Sequence, residues 1–231
     1  MCIIVIAANR YITDEELTNC FQNNVDGAGL AWSDGEKVIV RKGFMTLKEL
    51  LDFYNESPIP LPHVLHCRTA TSGDVIPEMT HPFKVSELSD LVVSEDLDCP
   101  VLFHNGVIPD WKSLLLNMVT SGKIPMMPKG QMNDTRVAAI MASLPTIGDD
   151  VLEILSGKFV VIQPDGTITR WGNFEESNGI YASNDGYKRT TYVYRGCNKN
   201  KGSGGNSGGY EVYDYRFNRN NKGKEPDQSY G

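Results

Sequence analysis

The 231-residue sequence has no run of about 18 apolar residues, so it offers no membrane-spanning helix. Its opening, MCIIVIAANR, has no basic stretch ahead of a very short apolar run, which argues against a secretory signal. Cysteine is scarce and odd in number, five in all, with no Cys-x-x-Cys pair. Neither a disulfide framework nor a zinc site is expected from that spacing, and the expected compartment is the reducing cytoplasm. Basic charge is in deficit, with 22 Lys and Arg against 29 Asp and Glu and a net charge of −7. That argues against a nucleic-acid coat or a polybasic membrane binder as the role of the whole chain. Histidine is also sparse: His63, His66, His81 and His104 are the full set, and none has a partner at metal-ligand spacing on a helix. His66 and Cys67 would face opposite sides of a strand. No metal and no cofactor are expected, and His66 and His104 read as core residues or as supports behind a site. No internal repeat is evident.

What is present suffices for a core. Hydrophobic residues make up 40% and charged residues 22% of the chain, as expected of one large domain or one domain with a tail. The charge is divided unevenly. Residues 186–231 hold nine Lys and Arg against four Asp and Glu, seven of the ten tyrosines and nine of the 22 glycines. Within them, the stretch from Asn198 to Gly209 has no apolar residue, so burial cannot offset its ordering entropy. We therefore expect a domain over 1–185 and a basic, largely disordered tail over 186–231. The segment Tyr210–Phe217 could be a short docking strand or a linear motif. A basic, glycine-rich tail bearing tyrosines can also stack on single-stranded nucleic acid, although a solvated tail is the plainer reading.

Strands and helices alternate along the first 185 residues. The β-branched run Cys2–Ala8 predicts a buried strand. Thr13 followed by Glu16 is a capping-box signature for a helix. Gly29–Trp32 and Lys37–Arg41 flank an Asp-Gly turn and predict a hairpin; Lys158–Gln163 and Thr167–Trp171 do so again around Asp165-Gly166. Thr46–Tyr54, Asp110–Val119 and Asp134–Leu144 read as helices, and His63–Arg68 and Pro100–His104 as strands. Two hairpins bracketing the middle helices favour antiparallel sheet over a doubly wound parallel one.

Several polar groups carry possible chemistry. Cells commonly remove an initiator Met when a small residue follows, which would leave Cys2 bearing both a thiol and a free α-amino group. An amine with a pKa of about 7.7–8.0 suits a general base near neutrality, and a nucleophile activated by its own terminal amine is a known solution to acyl transfer. Taken alone, Cys2 reads by default as a small buried apolar residue of the first strand, since free Cys is often buried. Arg68 ends an apolar strand before a run of small residues, where it could clamp a carboxylate bidentately or form a structural ion pair. Asn105 and Gly106 follow another apolar strand; a side-chain amide beside a glycine N–H can form an oxyanion hole, and Asn-Gly is also a common turn. Asp134 opens a helix, where it reads by default as the N-cap and alternatively as a receiver for a substrate ammonium. The loop Asn23–Gly29 lacks nucleotide-binding glycine spacing and reads as an entry to a strand.

In their order along the chain, Met1-Cys2, Asn24-Val-Asp-Gly-Ala-Gly-Leu30, His66-Cys-Arg-Thr-Ala-Thr-Ser-Gly73, His104-Asn-Gly106 and Asn133-Asp-Thr135 resemble the class II glutamine amidotransferase domain of the N-terminal-nucleophile hydrolases. The resemblance covers about residues 2–185. It implies an α+β fold, a four-layer αββα sandwich with two mainly antiparallel sheets. It implies Cys2 as nucleophile toward the side-chain amide of glutamine, with a glutamyl thioester intermediate hydrolysed by water. Asn105 and Gly106 would hold the oxyanion, Arg68 the α-carboxylate and Asp134 the α-ammonium; Thr71 would line the pocket, and the loop from Gly73 to about Phe83 would be its lid. The sequence departs from the family pattern at Thr69, where an aromatic is usual, at Ser72, where His is usual, and at Arg136, where Glu is frequent. Family members usually carry a second domain that uses the ammonia, and the 46 residues after Asp185 are too few for one. The expected partner is therefore a separate synthase or acceptor subunit, with ammonia drawn from glutamine. The alternatives are a standalone γ-glutamyl amidohydrolase and a non-catalytic binding module on the same fold. Cys20, Cys67, Cys99 and Cys197 are expected to be structural.

Overall fold

The computed structural model describes residues 1–189. The proposed tail lies almost wholly outside the described residues, as do Cys197 and the segment Tyr210–Phe217.

The first strand, β1 (Ile3–Ala7), is buried at every position. Its alternate side chains serve two different cores. Ile3, Val5 and Ala7 face helices α1 (Asp14–Asn23) and α2 (Leu47–Glu56), meeting Leu17, Phe21 and Leu50. Ile4 and Ile6 face the second sheet and pack with Val101, Phe103, Val160 and Ile162. A strand covered on both faces needs a continuous apolar run rather than alternation, which is why its sequence reads Ile-Ile-Val-Ile-Ala.

The larger sheet has seven strands in the order β10 (Glu175–Ser177), β11 (Ile180–Ala182), β1, β4 (His63–Cys67), β2 (Ala28–Ser33), β3 (Val38–Phe44) and β6 (Ser94–Leu97). The smaller has β5 (Phe83–Lys84), β7 (Val101–Asn105), β8 (Lys158–Ile162) and β9 (Ile168–Trp171). All pairings among the described residues are antiparallel. The outer face of the smaller sheet carries α4 (Asp134–Ser143) and α5 (Val151–Ile154) through Leu102, Phe159, Ala138, Ala139 and Leu152. Helix α3 (Trp111–Thr120) packs on α4 through Leu115, Met118 and Ile140. The layers are thus helix, sheet, sheet, helix, the αββα sandwich that the resemblance implied. Each fully buried Ile, Val or Phe between the sheets stabilises the sandwich by about 1.5–3 kcal/mol.

Local sequence sets the ends of these elements. Both α1 and α2 begin with complete capping boxes, Thr13 with Glu16 and Thr46 with Glu49. Packed structure continues past Asp185: Tyr187 is buried among the α1 core residues, and the amides of Asn19 and Asn23 donate to the carbonyls of Tyr187 and Gly186. Cys20 and Cys67 lie in that core as free thiols, and burial pushes both far up from the usual thiol range. No helix among the described residues is long and apolar enough to cross a membrane.

Candidate active site

Four element ends converge on one cleft. Cys2 precedes β1, Arg68 follows β4, Gly106 follows β7, and Asp134 opens α4. Ile3 pairs with Cys67, and continuing that antiparallel register sets Cys2 opposite Arg68. The cleft has a volume of about 270 Å³, including its mouth to solvent, and Cys2, Arg68, Thr71, Gly106 and Asp134 all line it. Five of the six residues singled out from sequence therefore line one cleft. The sixth, Asn105, lies just behind Gly106 and is not part of the cleft lining; its Nδ2 donates to Ser183 Oγ at 2.9 Å.

The Cys2 sulfur is bracketed by one residue. Thr69 N–H donates to Sγ at 3.3 Å, and the thiol donates to Thr69 O at 3.4 Å. The Cys2 carbonyl accepts from Asn184 Nδ2 at 2.8 Å. Burial pushes the thiol up from its usual range, while the Thr69 N–H, the chain-terminal ammonium and Arg68 act the other way. A thiol held protonated needs a base to become nucleophilic. Met1 is largely exposed, as removal by an aminopeptidase would require.

Arg68 is almost fully buried, and burial lowers its pKa against the pull of the Cys2 thiolate, Asp26 and Asp134. Its guanidinium donates to the carbonyls of Asp74 and Ser72, both at 2.8 Å. A guanidinium has five N–H donors, so donors remain beyond these two. The backbone on either side of Arg68 is gripped by the loop before β2. Arg68 N–H donates to Gly27 O at 2.8 Å, Asp26 N–H to Arg68 O at 3.0 Å, and Ala70 N–H to Asp26 Oδ2 at 2.7 Å. The hydroxyl of Thr69 donates to Asn24 Oδ1 at 2.9 Å. The strand-entry loop read from sequence thus also fixes the cleft floor.

The cap reading of Asp134 is corrected. The N-cap of α4 is Asn133, whose Oδ1 accepts from Arg136 N–H at 2.8 Å. Asp134 instead reaches across the fold: Oδ2 accepts from Ile108 N–H at 3.0 Å and Oδ1 from Thr135 N–H at 2.9 Å. Its carboxylate lies at the cleft wall, with His104 Nδ1 4.0 Å from Oδ2. Arg136 is wholly buried. It donates to the carbonyls of Leu88, Ser89, Lys129 and Gln131, and the Gln131 side chain accepts from Asp74 N–H at 2.6 Å. The departure at 136 therefore ties the loops around the cleft rim.

Three neutral histidines support the site, His81 and His104 from the cleft lining and His66 from behind it. His66 Nε2–H donates to His104 O at 3.0 Å, and His104 N–H donates to His81 Nδ1 at 3.2 Å. The His66 and His81 rings stack at 3.9 Å. Burial lowers all three, His66 to about 3 and His81 well below its ordinary value; Asp134 pulls His104 the other way. Among the described residues no group of three His, Cys, Asp or Glu could hold a metal ion.

The loop expected to be a lid divides in two. Met79 to Phe83 are buried, and Lys42 Nζ donates to the carbonyls of Glu78, Thr80 and Pro82 at 2.8–3.0 Å. Only residues 73–75 are exposed, and 76–78 are half-buried. Sequence reasoning missed Asp26, Thr69 as a sulfur partner, His81 in the cleft wall, and the pair Ser183 and Asn184. The last two lie 179 and 182 residues from the strand positions they hold, so no local pattern marks them. A side chain at 106 would come within 2.8 Å of Gly157 Cα and His104 Nε2, so only glycine fits there.

No protein-family model and no curated protein matches the sequence. Solved structures match the fold. The glutamine phosphoribosylpyrophosphate (PRPP) amidotransferase from B. subtilis, complexed with ADP and GMP, aligns at a TM-score of 0.57 and 20% identity, over 81% of this chain and 42% of that one. The allosteric regulatory enzyme of purine biosynthesis aligns at a TM-score of 0.54 and 18% identity, over 81% and 43%. The chain spans less than half the length of either. What it shares with them is the fold.

Proposed function

We propose that this chain, built on that fold, hydrolyses the side-chain amide of glutamine with Cys2 as its N-terminal nucleophile and passes the ammonia to a separate acceptor subunit. The observation that carries the reading is the convergence in one cleft of a sulfur, a cation and an anion: Cys2, Arg68 and Asp134. Glutamine's amide carbon, α-carboxylate and α-ammonium need those three complements. Glutamine is also the substrate named for the B. subtilis neighbour.

Removal of Met1 frees the Cys2 amine. That amine takes the thiol proton, directly or through one water, as sulfur bonds to the amide carbon. The resulting oxyanion is met by the Gly106 N–H and the Asn105 amide, donors of the kind worth 10²–10³ in rate, about 3–4 kcal/mol. The C–N bond then breaks, and the protonated amine gives its proton to the leaving nitrogen, which departs as ammonia. Water attacks the thioester, yielding glutamate and the restored thiol. Arg68 binds the α-carboxylate with its remaining donors, Asp134 the α-ammonium, and Thr71 contributes to the wall. Standalone hydrolysis of a larger γ-glutamyl amide is favoured by one feature. The lip residues Thr69, Thr71 and Ser72 are small, and the Thr69 hydroxyl is turned away onto Asn24.

The test is an intact-mass spectrum with peptide mapping after incubation with a diazo-ketone analogue of glutamine. One adduct on a chain beginning at Cys2 is expected. A chain that retains Met1, or a processed chain without adduct, overturns the reading.

A further inference from the structure

The amide of Asn105 is held in an unusual way. The residue is buried, yet its Oδ1 has no hydrogen-bond partner among the described residues. A buried carbonyl left unpaired costs about 1–3 kcal/mol, so an ordinary core asparagine would turn to satisfy both ends. Here the nitrogen end is fixed by Ser183 Oγ at 2.9 Å. Ser183 is itself immobilised. Its Oγ accepts from Ile4 N–H at 2.9 Å, its N–H donates to Ile4 O at 2.9 Å, and its carbonyl accepts from Lys158 Nζ. The next residue, Asn184, holds the Cys2 carbonyl. One short turn after β11 therefore touches both the backbone that carries the sulfur and the amide beside Gly106.

We infer that Ser183 is a positioning residue for the Asn105 carboxamide: its hydroxyl accepts one amide hydrogen and so keeps the N–H₂ end, rather than the carbonyl end, available to a developing oxyanion. The inference rests on the reaction proposed above. Without the hydroxyl, the carboxamide can rotate to seek a partner for Oδ1. That would present an acceptor where a donor is needed.

The experiment follows covalent labelling of Cys2 by the diazo-ketone analogue, measuring the rate at saturation and the half-saturating concentration. Wild type, Ser183→Ala, Ser183→Thr, Asn105→Ala and the double variant Ser183→Ala with Asn105→Ala are compared. Ser183→Ala is expected to lower the saturated rate roughly 10–100-fold, below the 10²–10³ seen when an oxyanion donor is lost outright. The half-saturating concentration should move less than about twofold, because the groups that bind the α-carbon end are untouched. Ser183→Thr, which keeps the hydroxyl, should recover most of the rate. In the Asn105→Ala background, Ser183→Ala should cost nothing further, a non-additivity that a merely structural serine would not produce. An unchanged rate in Ser183→Ala, or an equal loss in both backgrounds, overturns the inference alone. A wild-type chain that takes no label overturns the proposed reaction and this inference with it. Should Ser183→Ala fail to fold, the wild type still decides. Its Asn105 side-chain amide, assigned by loss of its signals in Asn105→Ala, should give two separated, slowly exchanging protons, and rapid exchange with solvent contradicts the inference.

Discussion

The two helix layers use polar residues in opposite ways. On one side, α1 and α2 end their first turns with capping boxes, so Thr13, Glu16, Thr46 and Glu49 satisfy the backbone within four residues of themselves. No residue of these two helices lines the cleft. On the other side, the polar residues that open α4 reach far. Asp134 bonds Ile108, and Arg136 bonds carbonyls at 88, 89, 129 and 131. Helix α3 begins at Asp110 in the left-handed region with no side-chain cap. Helices α1 and α2 use their first-turn polar groups locally, whereas the first turn of α4 keeps a local cap at Asn133 and also sends Asp134 and Arg136 to distant backbone around the cleft.

The contrast can be broken or sharpened by experiment. The largest effect is expected from Arg136→Leu. Four loop carbonyls lose the buried cation that gathers them, which should cost about 3–5 kcal/mol in urea unfolding, within the range for breaking a buried charged network. A loss below about 1 kcal/mol would remove the case that α4 organises the rim. Next come Arg68→Ala and Asp134→Ala. Each should weaken glutamine binding by about 2–5 kcal/mol, measured as half-saturation in labelling or turnover. Unchanged affinity in both would mean the substrate is not an α-amino acid.

Acid compares the two sides directly. His63, on the α2 side, accepts from Tyr54 Oη and donates to Pro60 O; burial lowers it to about 4. His66, behind the cleft, is lowered to about 3, and its Nδ1 has no hydrogen-bond partner among the described residues. Each is neutral in the folded chain, while the unfolded chain binds its proton below about 6.5. Stability should therefore fall as pH is lowered from about 6.5 toward 4, by about 1.4 kcal/mol per pH unit for each histidine. Urea midpoints between pH 7 and pH 5 read this slope, and His63→Gln should remove one histidine's share without changing Cys2 labelling. The smallest effect belongs to Thr13→Ala. Loss of that cap should cost about 1 kcal/mol and leave labelling unaltered. A labelling defect there would show that the scaffold side also tunes the site.

The same division explains what could be read from sequence. The strands β1, β4 and β7 are apolar because both faces are covered, and the β2–β3 and β8–β9 hairpins carry Asp-Gly turns. The elements not foreseen are short or lie at sheet edges. Strand β6 reads Ser-Glu-Asp-Leu and has three exposed residues, because its outer edge faces solvent and needs no apolar pattern. Strand β10 is Glu-Glu-Ser for the same reason. Its hairpin with β11 did carry a signal: Asn178 and Gly179 both have positive φ, as a two-residue turn requires, but the flanking run is too polar to mark strands. At the site, Cys2, Arg68, Gly106 and Asp134 were legible because each sits at the end of a patterned element. Ser183, Asn184 and His81 were not. Their roles come from tertiary pairing, and a lone serine or histidine in sequence has no period to betray it.

The covalent intermediate is the species that distinguishes this chemistry most directly. Glutamine should be mixed with the processed chain, quenched in acid within the first turnovers, and the intact mass recorded and mapped. The account expects one glutamyl group joined through a thioester to an N-terminal Cys2, absent from Cys2→Ala, which should also release no glutamate. Glutamate release that persists in Cys2→Ala, or a glutamyl group mapped to another residue, would contradict it.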